Sequence, residues 1–225
     1  MGKAYFVTGT DTDAGKTLVT TGILEAARRQ GLQTLGLKPV AAGCVNTGDG
    51  LHNDDALKLM DAATLELPYE QVNPFALEPP IAPHIAAQDA SIRISVDRLS
   101  GYCRGALMRK HDLALIEGAG GWRVPLNDRE FLSGLPRAMN LPVILVVGMK
   151  LGCLNHGILT LESIHRDGLR LAGWVANRID PDMSRYEENL QTLKSIMPAP
   201  CLGEIPWLET ANKMSAADYI DISSI

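Results

Sequence analysis

The chain has 225 residues, of which 46% are hydrophobic and 21% charged, a composition typical of a globular protein with one large α/β domain. Its formal net charge of −5 excludes a strongly basic surface for nucleic acid and favours small-molecule partners. Four widely spaced cysteines lack the spacing of a zinc site, and no apolar run is long enough to span a membrane, so we expect reduced thiols in a cytoplasmic protein with a single domain, residues 1–225.

Apolar runs and helical periodicity predict strands that alternate with helices along the chain. The predicted strands are 5–8, 34–37, 113–116, 143–147, 171–175 and 202–205, and the predicted helices include one that ends near 30 and others at about 155–166 and 184–196. The segments 40–51 and 68–83 are predicted as a loop and as an irregular, proline-rich surface excursion. The alternation predicts an α/β fold with a doubly wound, mainly parallel sheet and helices on both faces, whose ligands bind beyond the carboxyl ends of the strands.

A glycine-bounded loop at residues 9–17 joins the first predicted strand to the first helix. Its Gly-Lys-Thr ending is typical of a phosphate-binding loop, in which backbone N–H groups surround a phosphate and the helix start adds positive charge. Lys16 would reach the β- and γ-phosphates, and the Thr17 hydroxyl would ligate Mg²⁺. Five residues separate Gly9 from Gly15 instead of the usual four, so the loop is a longer variant.

Other candidate groups lie near strand ends and helix starts. Lys38 can stabilise charge on a transferred phosphoryl group, and Glu117 with Asp55 and Thr17 can complete an oxygen site for Mg²⁺. Taken singly, Lys38 would more often be a surface charge, and the structural alternatives are a solvated strand end for Glu117 and a helix cap for Asp55. Because carboxyl ends of parallel strands share one edge of a sheet, we expect the following residues to gather there: Lys16, Lys38, Glu117, Lys150 and Asn177.

Three further segments carry weaker signals. Gly118 to Gly121 remove side-chain bulk beside the predicted acid, so a second substrate can approach the backbone. Gly152 to Asn155 precede a helix whose free N–H groups can hold a carboxylate. Asn177 to Asp180 resemble the base-reading motif of GTPases with Arg in place of Lys, and Asn177 can hydrogen-bond either purine, so the identity of the base stays open.

Several segments together resemble the dethiobiotin synthetase family, to which the longer phosphate loop also belongs. They are Val7–Thr12 with Gly15–Thr17, Lys38–Val40, Glu117–Trp122, Lys150–Cys153 with Asn155 and His156, and Gly203–Trp207, and they extend over nearly the whole chain. The resemblance implies a P-loop NTPase-like fold and a ligase of biotin biosynthesis. In that reaction 7,8-diaminopelargonate, CO₂ and MgATP give dethiobiotin, ADP and phosphate through a carbamate and a carbamic-phosphoric anhydride.

The resemblance also implies roles for individual residues. Lys16 and Lys38 are the implied catalytic residues, and Thr17, Asp55 and Glu117 are the implied Mg²⁺ ligands. The implied nucleotide-binding residues are Asp13, Ala14, Gly15, Lys16, Thr17, Leu18, Asp55, Glu117, Gly118, Ala119, Gly120, Asn177, Arg178, Pro206, Trp207 and Leu208. The implied substrate-binding residues are Thr12, Lys38, Ala42, Gly118, Ala119, Gly120, Gly121, and Gly152, Cys153, Leu154 and Asn155 from the partner subunit of a homodimer.

Two positions depart from the family pattern. Ala42 stands where the family usually offers a small hydroxyl residue to the substrate, so that hydrogen bond is lost or is supplied by Cys44 or water. A tyrosine expected near Asn189 for the substrate carboxylate is also absent.

Two alternative functions use a related phosphate loop. A partition or cell-division switch ATPase carries an extra loop lysine, and Asp11 occupies that position here. A GTP-binding regulatory module is supported only by the four residues from Asn177 to Asp180. Both alternatives rank below the synthetase.

Overall fold

The computed structural model describes residues 2–225 and is built on a central parallel sheet. The strands are Lys3–Gly9 (β1), Thr34–Leu37 (β2), Val40–Ala42 (β3), Val45–Asn46 (β4), Leu51–His52 (β5), Phe75–Leu77 (β6), Leu113–Glu117 (β7), Val143–Met149 (β8), Leu171–Arg178 (β9) and Cys201–Ile205 (β10). The helices are Lys16–Arg29 (α1), Asp54–Ala62 (α2), Tyr69–Val72 (α3), Pro83–Asp89 (α4), Val96–Leu107 (α5), Gly134–Met139 (α6), Cys153–Arg166 (α7), Tyr186–Ile196 (α8) and Lys213–Ala217 (α9).

The central sheet has six strands in the order β10-β9-β8-β1-β7-β2, and each neighbouring pair is parallel. All six were predicted from the sequence, and the prediction of a parallel α/β fold is confirmed. The apolar strand β8 is buried along its whole length, as a strand covered on both faces must be.

Helices cover both faces of this sheet, which confirms the doubly wound arrangement. On one face α1 and α9 bury Val19, Ile23 and Ala216 against the sheet. On the other face α5, α7 and α8 bury side chains such as Leu99 and Leu190. Among residues 2–225 no helix is long and apolar enough to cross a membrane.

Two segments contain more regular structure than predicted. The segment 40–51, predicted as a loop, contains β3, β4 and the first residue of β5, and the segment 68–83, predicted as irregular, contains α3, β6 and the first residue of α4. Strand β3 pairs with β6 in parallel, and both bury apolar side chains such as Val40, Phe75 and Leu77. These strands are stabilised by a partner distant in sequence, so local glycine and proline signals concealed them. Their pairing brings residues 80–83 to the carboxyl edge of the sheet.

The predicted chemical residues lie at strand ends with small differences in position. Lys38 follows β2 and Lys150 follows β8, as expected, whereas Glu117 is the last residue of β7 and Asn177 the second last of β9. All of them therefore lie at one edge of the sheet, beside the phosphate loop.

Candidate active site

The phosphate loop, residues 9–17, has a fixed shape where it enters α1. Gly15 caps the helix with a φ of +85°, a left-handed conformation that glycine adopts without strain. A Cβ atom there would lie 2.1 Å from Nδ2 of Asn177, so space as well as backbone conformation requires glycine. The same Nδ2 donates to the carbonyl oxygen of Ala14 at 2.9 Å and ties the loop to β9. Contact of Asn177 with a nucleotide base stays a prediction.

Lys16 is buried in the first turn of α1. Its Nζ donates to the carbonyl oxygens of Asp11 and Thr12, at 3.1 and 3.0 Å. Burial, and then repulsion from Lys38, lowers the pKa of Lys16 to about 8. An anion beside this amine would offset both the lost hydration and the repulsion, so the surroundings favour a bound phosphate.

Lys38 joins two carboxylates at the edge of the sheet. Its Nζ lies 2.6 Å from Glu117 Oε1 and 3.0 Å from Asp55 Oδ2, and it donates to the Gly118 carbonyl at 3.2 Å. The Thr17 hydroxyl donates to the same Glu117 oxygen at 2.8 Å. The structure therefore brings these residues together, as their positions in the sequence predicted, while their chemical roles stay predictions.

Mutual attraction keeps Lys38 and Asp55 charged. Burial opposes the charge of Lys38, but the Glu117 and Asp55 carboxylates outweigh it and hold the pKa of Lys38 above its ordinary value. Burial likewise opposes the charge of Asp55, and Lys38 outweighs it, so the pKa of Asp55 is lowered. At neutral pH the site contains a lysine ammonium beside an aspartate carboxylate.

The donor set fits Mg²⁺. The second carboxylate oxygen of Glu117, Oε2, is buried and has no hydrogen-bond partner among residues 2–225. Such an oxygen is costly to bury unless a positive group completes its environment. With the Thr17 hydroxyl and Asp55 it offers the hard oxygen ligands that Mg²⁺ prefers, and this ion commonly binds through one or two carboxylates together with substrate phosphates.

A cleft of about 810 Å³ opens over this cluster, within the size range of small-molecule sites. It is lined by many predicted site residues: Thr12, Asp13, Gly15, Lys16, Thr17, Leu18, Lys38, Ala42, Asp55, Ala119, Gly120 and Gly121. Glu117 and Gly118 adjoin it through their contacts with Lys38. The cleft therefore contains the predicted phosphate end and the predicted diamine end together.

Part of the cleft wall was missed by the sequence analysis. The missed residues are Ala41, Asn53, Pro80, Ile81, Ala82, Pro83, Arg123, Val124 and Pro125. Segment 80–83 reaches the cleft through the pairing of β6 with β3, which has no local sequence signature. The sequence signals for the others were only their proximity to predicted site residues: Ala41 adjoins Ala42, Asn53 lies two residues before Asp55, and Arg123 lies two residues after the glycine segment.

Other predicted site residues do not line the cleft. They are Ala14, Asn177, Arg178, Pro206, Trp207, Leu208, Gly152, Cys153, Leu154 and Asn155. Arg178 donates to the carbonyl oxygens of Asp180 and Pro181, at 3.3 and 2.7 Å, and lies over the ring of Tyr186. Trp207 is half exposed beyond the end of β10. A base-binding role for this region stays a prediction.

The start of α7 is a separate feature outside the cleft. The helix begins at Cys153 after Gly152, and within the described chain no side chain caps it. Uncapped N–H groups at a helix start attract anions. Lys150, just before it, pairs with Asp11 of the phosphate loop at 3.1 Å and thus connects the two segments.

The two departures from the family pattern have defined surroundings. Ala42 lines the cleft, and its carbonyl accepts a hydrogen bond from Asn53 at 3.3 Å. Cys44 is buried with its Sγ against the Ala41 carbonyl and does not line the cleft, so its replacement of the missing hydroxyl, like that by water, stays a prediction. Asn189 Nδ2 donates to the carbonyl oxygen of Arg185, the N-cap residue of α8, at 2.8 Å.

Sequence comparison relates the chain to one enzyme family over nearly its full length. A family model described as an AAA domain matches residues 3–215. The chain is 58% identical over 223 residues to the ATP-dependent dethiobiotin synthetase BioD of Cellvibrio japonicus, a match that covers 99% of this chain and 97% of that protein. It is 49% identical over 225 residues to the protein of the same name from Aeromonas salmonicida, with 100% of each chain covered.

Structure comparison relates the chain to proteins with the P-loop NTPase fold. The septum site-determining protein MinD of Pyrococcus horikoshii, complexed with Mg-ADP, superposes with a TM-score of 0.59 at 17% identity, covering 98% of this chain and 87% of that one. Cobyrinic acid a,c-diamide synthase of Mycobacterium smegmatis, with bound ADP and magnesium, gives a TM-score of 0.58 at 16% identity, covering 97% and 92%. These neighbours establish the P-loop NTPase fold.

Proposed function

The chain belongs to the ATP-dependent dethiobiotin synthetase BioD family, and we propose that its cleft binds MgATP beside 7,8-diaminopelargonate and CO₂. The protein is an ATP-dependent ligase that forms dethiobiotin in biotin biosynthesis. We further propose that residues 1–225 act as one domain and that the reaction takes place in the cytoplasm.

The nucleotide phosphates bind at the phosphate loop. The N–H groups at the start of α1 and the Lys16 ammonium contact the β- and γ-phosphates, because both supply positive charge at the loop. Thr17, Asp55 and Glu117 hold Mg²⁺, which neutralises charge on the phosphates. The base lies toward Asn177 and the 206–208 segment, beyond the far side of the loop.

The diamine lies opposite the γ-phosphate, between the glycine segment 118–121 and the wall that contains Ala42. One amine adds to CO₂ and loses a proton to give a carbamate. A carbamate oxygen attacks the γ-phosphorus and ADP leaves, which gives a carbamic-phosphoric anhydride. The second amine then attacks the carbamate carbon, and phosphate leaves as the cyclic urea closes.

The position and charge of Lys38 are the observation that most directly supports this chemistry. Its ammonium is held between Glu117 and Asp55 at the floor of the cleft, next to Lys16 and the glycine segment. Positive charge at that place stabilises an anionic carbamate and the charge that spreads over the phosphoryl group during transfer. A buried cation with a raised pKa is suited to that task, because it stays protonated throughout the reaction.

We also propose a homodimer in which the start of α7 serves the partner's cleft. The start of α7 at residues 152–155, which no side chain caps within the described chain, lies outside the cleft of its own subunit, and it suits the carboxylate at the far end of the diamine. Leu151 beside them is 91% exposed, and Leu159 of the same helix is 55% exposed at a groove of about 440 Å³. Exposed apolar side chains at one helix favour a subunit interface.

Carbon-14 bicarbonate tests the proposed reaction directly. We expect purified protein to incorporate the label into an acid-stable product only when the diamine, Mg²⁺ and ATP are all present. A carbamate alone releases its label in acid, so omission of ATP serves as the internal control. Folded protein that incorporates no label under complete conditions would refute the proposal.

A further inference from the structure

A chain of buried and partly buried hydrogen bonds connects the backbone of Lys38 to that of Asp55. Asn73 Nδ2 donates to the Lys38 carbonyl at 2.6 Å, and the Tyr69 hydroxyl donates to Asn73 Oδ1 at 2.8 Å. The same hydroxyl accepts the N–H of Asn53 at 2.8 Å, and Asn53 Oδ1 accepts the N–H of Asp55 at 3.1 Å. We call the three linking residues, Asn53, Tyr69 and Asn73, the Tyr69 relay.

The relay has its origin in the short helix α3. Tyr69 and Asn73 are four residues apart, so they lie on the same face of this turn and can meet. The Val72 carbonyl also accepts the N–H of Lys38 at 2.9 Å, so both backbone groups of Lys38 are held by residues 72 and 73. Segment 68–83 thus contacts the lysine although it lies some thirty residues further along the chain.

The relay also reaches the substrate side of the cleft. Asn53 Nδ2 donates to the Ala42 carbonyl at 3.3 Å, and Asn53 itself lines the cleft. Asn53 and Asn73 are buried, and the ring of His52 lies 4.2 Å from that of Tyr69 between centroids. Polar groups in such surroundings are costly when unpaired, so loss of one member disturbs the others.

We propose that Tyr69 and Asn73 are positioning residues that hold Lys38 and Asp55 in register for phosphoryl transfer. The inference rests on the roles proposed above for Lys38 and Asp55. Because phosphoryl transfer depends on placement of charge, a shift of about 1 Å in these groups costs about 10²-fold in rate. The relay touches only the backbones of the two residues, so it sets their position and leaves their side chains to the reaction.

The variant Tyr69→Phe removes one hydroxyl from the relay and keeps the ring. We expect kcat to fall about 10-fold and the Mg²⁺ concentration for half-maximal activity to rise about 10-fold, as for outer partners of other metal sites. The Kd for ADP, measured in EDTA, should stay within about twofold of the wild-type value, because the phosphate loop is outside the relay. Tyr102→Phe is the matched control, since Tyr102 is 45% exposed and packs on Phe75 of the same segment.

A second variant, Asn73→Ser, shortens the side chain so that it no longer reaches the Lys38 carbonyl. Its kcat should fall by a similar factor, and the double variant should be no worse than the more damaged single one, because both break the same relay. If the two substitutions caused independent packing defects, their fold-reductions in kcat would instead multiply in the double variant. If Tyr69→Phe melts below the assay temperature, kcat and the Mg²⁺ requirement of Asn73→Ser decide the question.

The variants Lys38→Met and Asp55→Asn show whether a negative result refutes the relay inference alone or the proposed site as well. If these two variants lose turnover or Mg²⁺ response while the folded relay variants behave like Tyr102→Phe, the relay inference is wrong and the site stands. If Lys38→Met and Asp55→Asn themselves behave like the wild type, the proposed site is wrong and the inference falls with it.

Discussion

Among single residues, a buried lysine shares two carboxylates with the proposed metal ion. Lys38 bonds to Glu117 Oε1, and Oε2 of the same carboxylate has no partner among residues 2–225. One oxygen thus orients the lysine while the other is available to a cation. The two carboxylates stabilise the Lys38 ammonium at the floor of the cleft, where it can attract phosphate.

Replacement of Lys38 by methionine should separate turnover from nucleotide binding. We expect Lys38→Met to lower kcat about 10²-fold or more, because charge stabilisation at the phosphoryl group is lost. The Kd for ADP, measured by calorimetry, should change only a few-fold, since Lys16 and the loop remain. Lys58→Met is the control, because Lys58 is 59% exposed on α2. An effect confined to nucleotide affinity would remove Lys38 from the catalytic role.

The same variant should also lose stability, because it leaves the Glu117 carboxylate buried without its partner. Removal of one member of a buried pair costs about 3–5 kcal/mol. The double variant Lys38→Met, Glu117→Gln neutralises both groups and should recover most of that loss while staying inactive. Urea unfolding measures the free energy of unfolding in each variant. A double variant as unstable as Lys38→Met would show that the pair is not the source of the effect.

Ala42 gives a prediction about the substrate. Because Ala42 lines the cleft where relatives usually present a small hydroxyl, Ala42→Ser should leave activity unchanged or lower the KM for the diamine. Ala63→Ser, at the end of α2, is a control that adds the same hydroxyl away from the cleft. Steady-state kinetics with varied diamine measure the change. A large loss of activity would mean that this wall is arranged differently around the substrate.

At the scale of elements, the sequence predicted the central sheet far better than the cleft wall. Strand β8 is a continuous apolar run, and such runs identify buried strands without any knowledge of their partners. Strands β3 and β6 have three residues each and depend on pairing with one another, so nothing local distinguishes them from loops. Residues 80–83 reach the cleft through that pairing. The Tyr69 relay could not be predicted either, because its hydrogen bonds also join residues that are distant in sequence.

Helix α5 buries Cys103, and burial raises the pKa of that thiol to about 12. Only about 10⁻⁴ of it is thiolate at pH 8, and the sulfur is also shielded, so iodoacetamide should leave it unmodified in native protein. Stability contributed by the neutral thiol is present below the unfolded-state pKa and is lost as pH rises toward 12. Mass spectrometry should find alkylation first at the less buried Cys201. Labelling of Cys103 at the rate of the urea-unfolded chain would contradict this.

In the whole molecule, the groups proposed to bind phosphate and Mg²⁺ lie at one edge of the central sheet. We propose that the carboxylate of the substrate binds to a second subunit. We expect Leu159→Asp to shift the protein from dimer to monomer in analytical ultracentrifugation, because a charge would enter an apolar interface. The KM for the diamine should rise while ADP binding is retained. Met108→Asp, at an 87% exposed position after α5, is the control. A variant that stays dimeric with wild-type kinetics would place the interface elsewhere.

We propose that this cleft phosphorylates a carbamate made from the diamine and CO₂. In a single turnover with the diamine pre-equilibrated with oxygen-18 CO₂, one labelled oxygen should appear in the released phosphate, because the carbamate oxygen becomes bonded to phosphorus and leaves with it. Mass spectrometry of the phosphate measures this transfer. Unlabelled phosphate formed together with dethiobiotin would show that water, and not the carbamate, attacks the γ-phosphate.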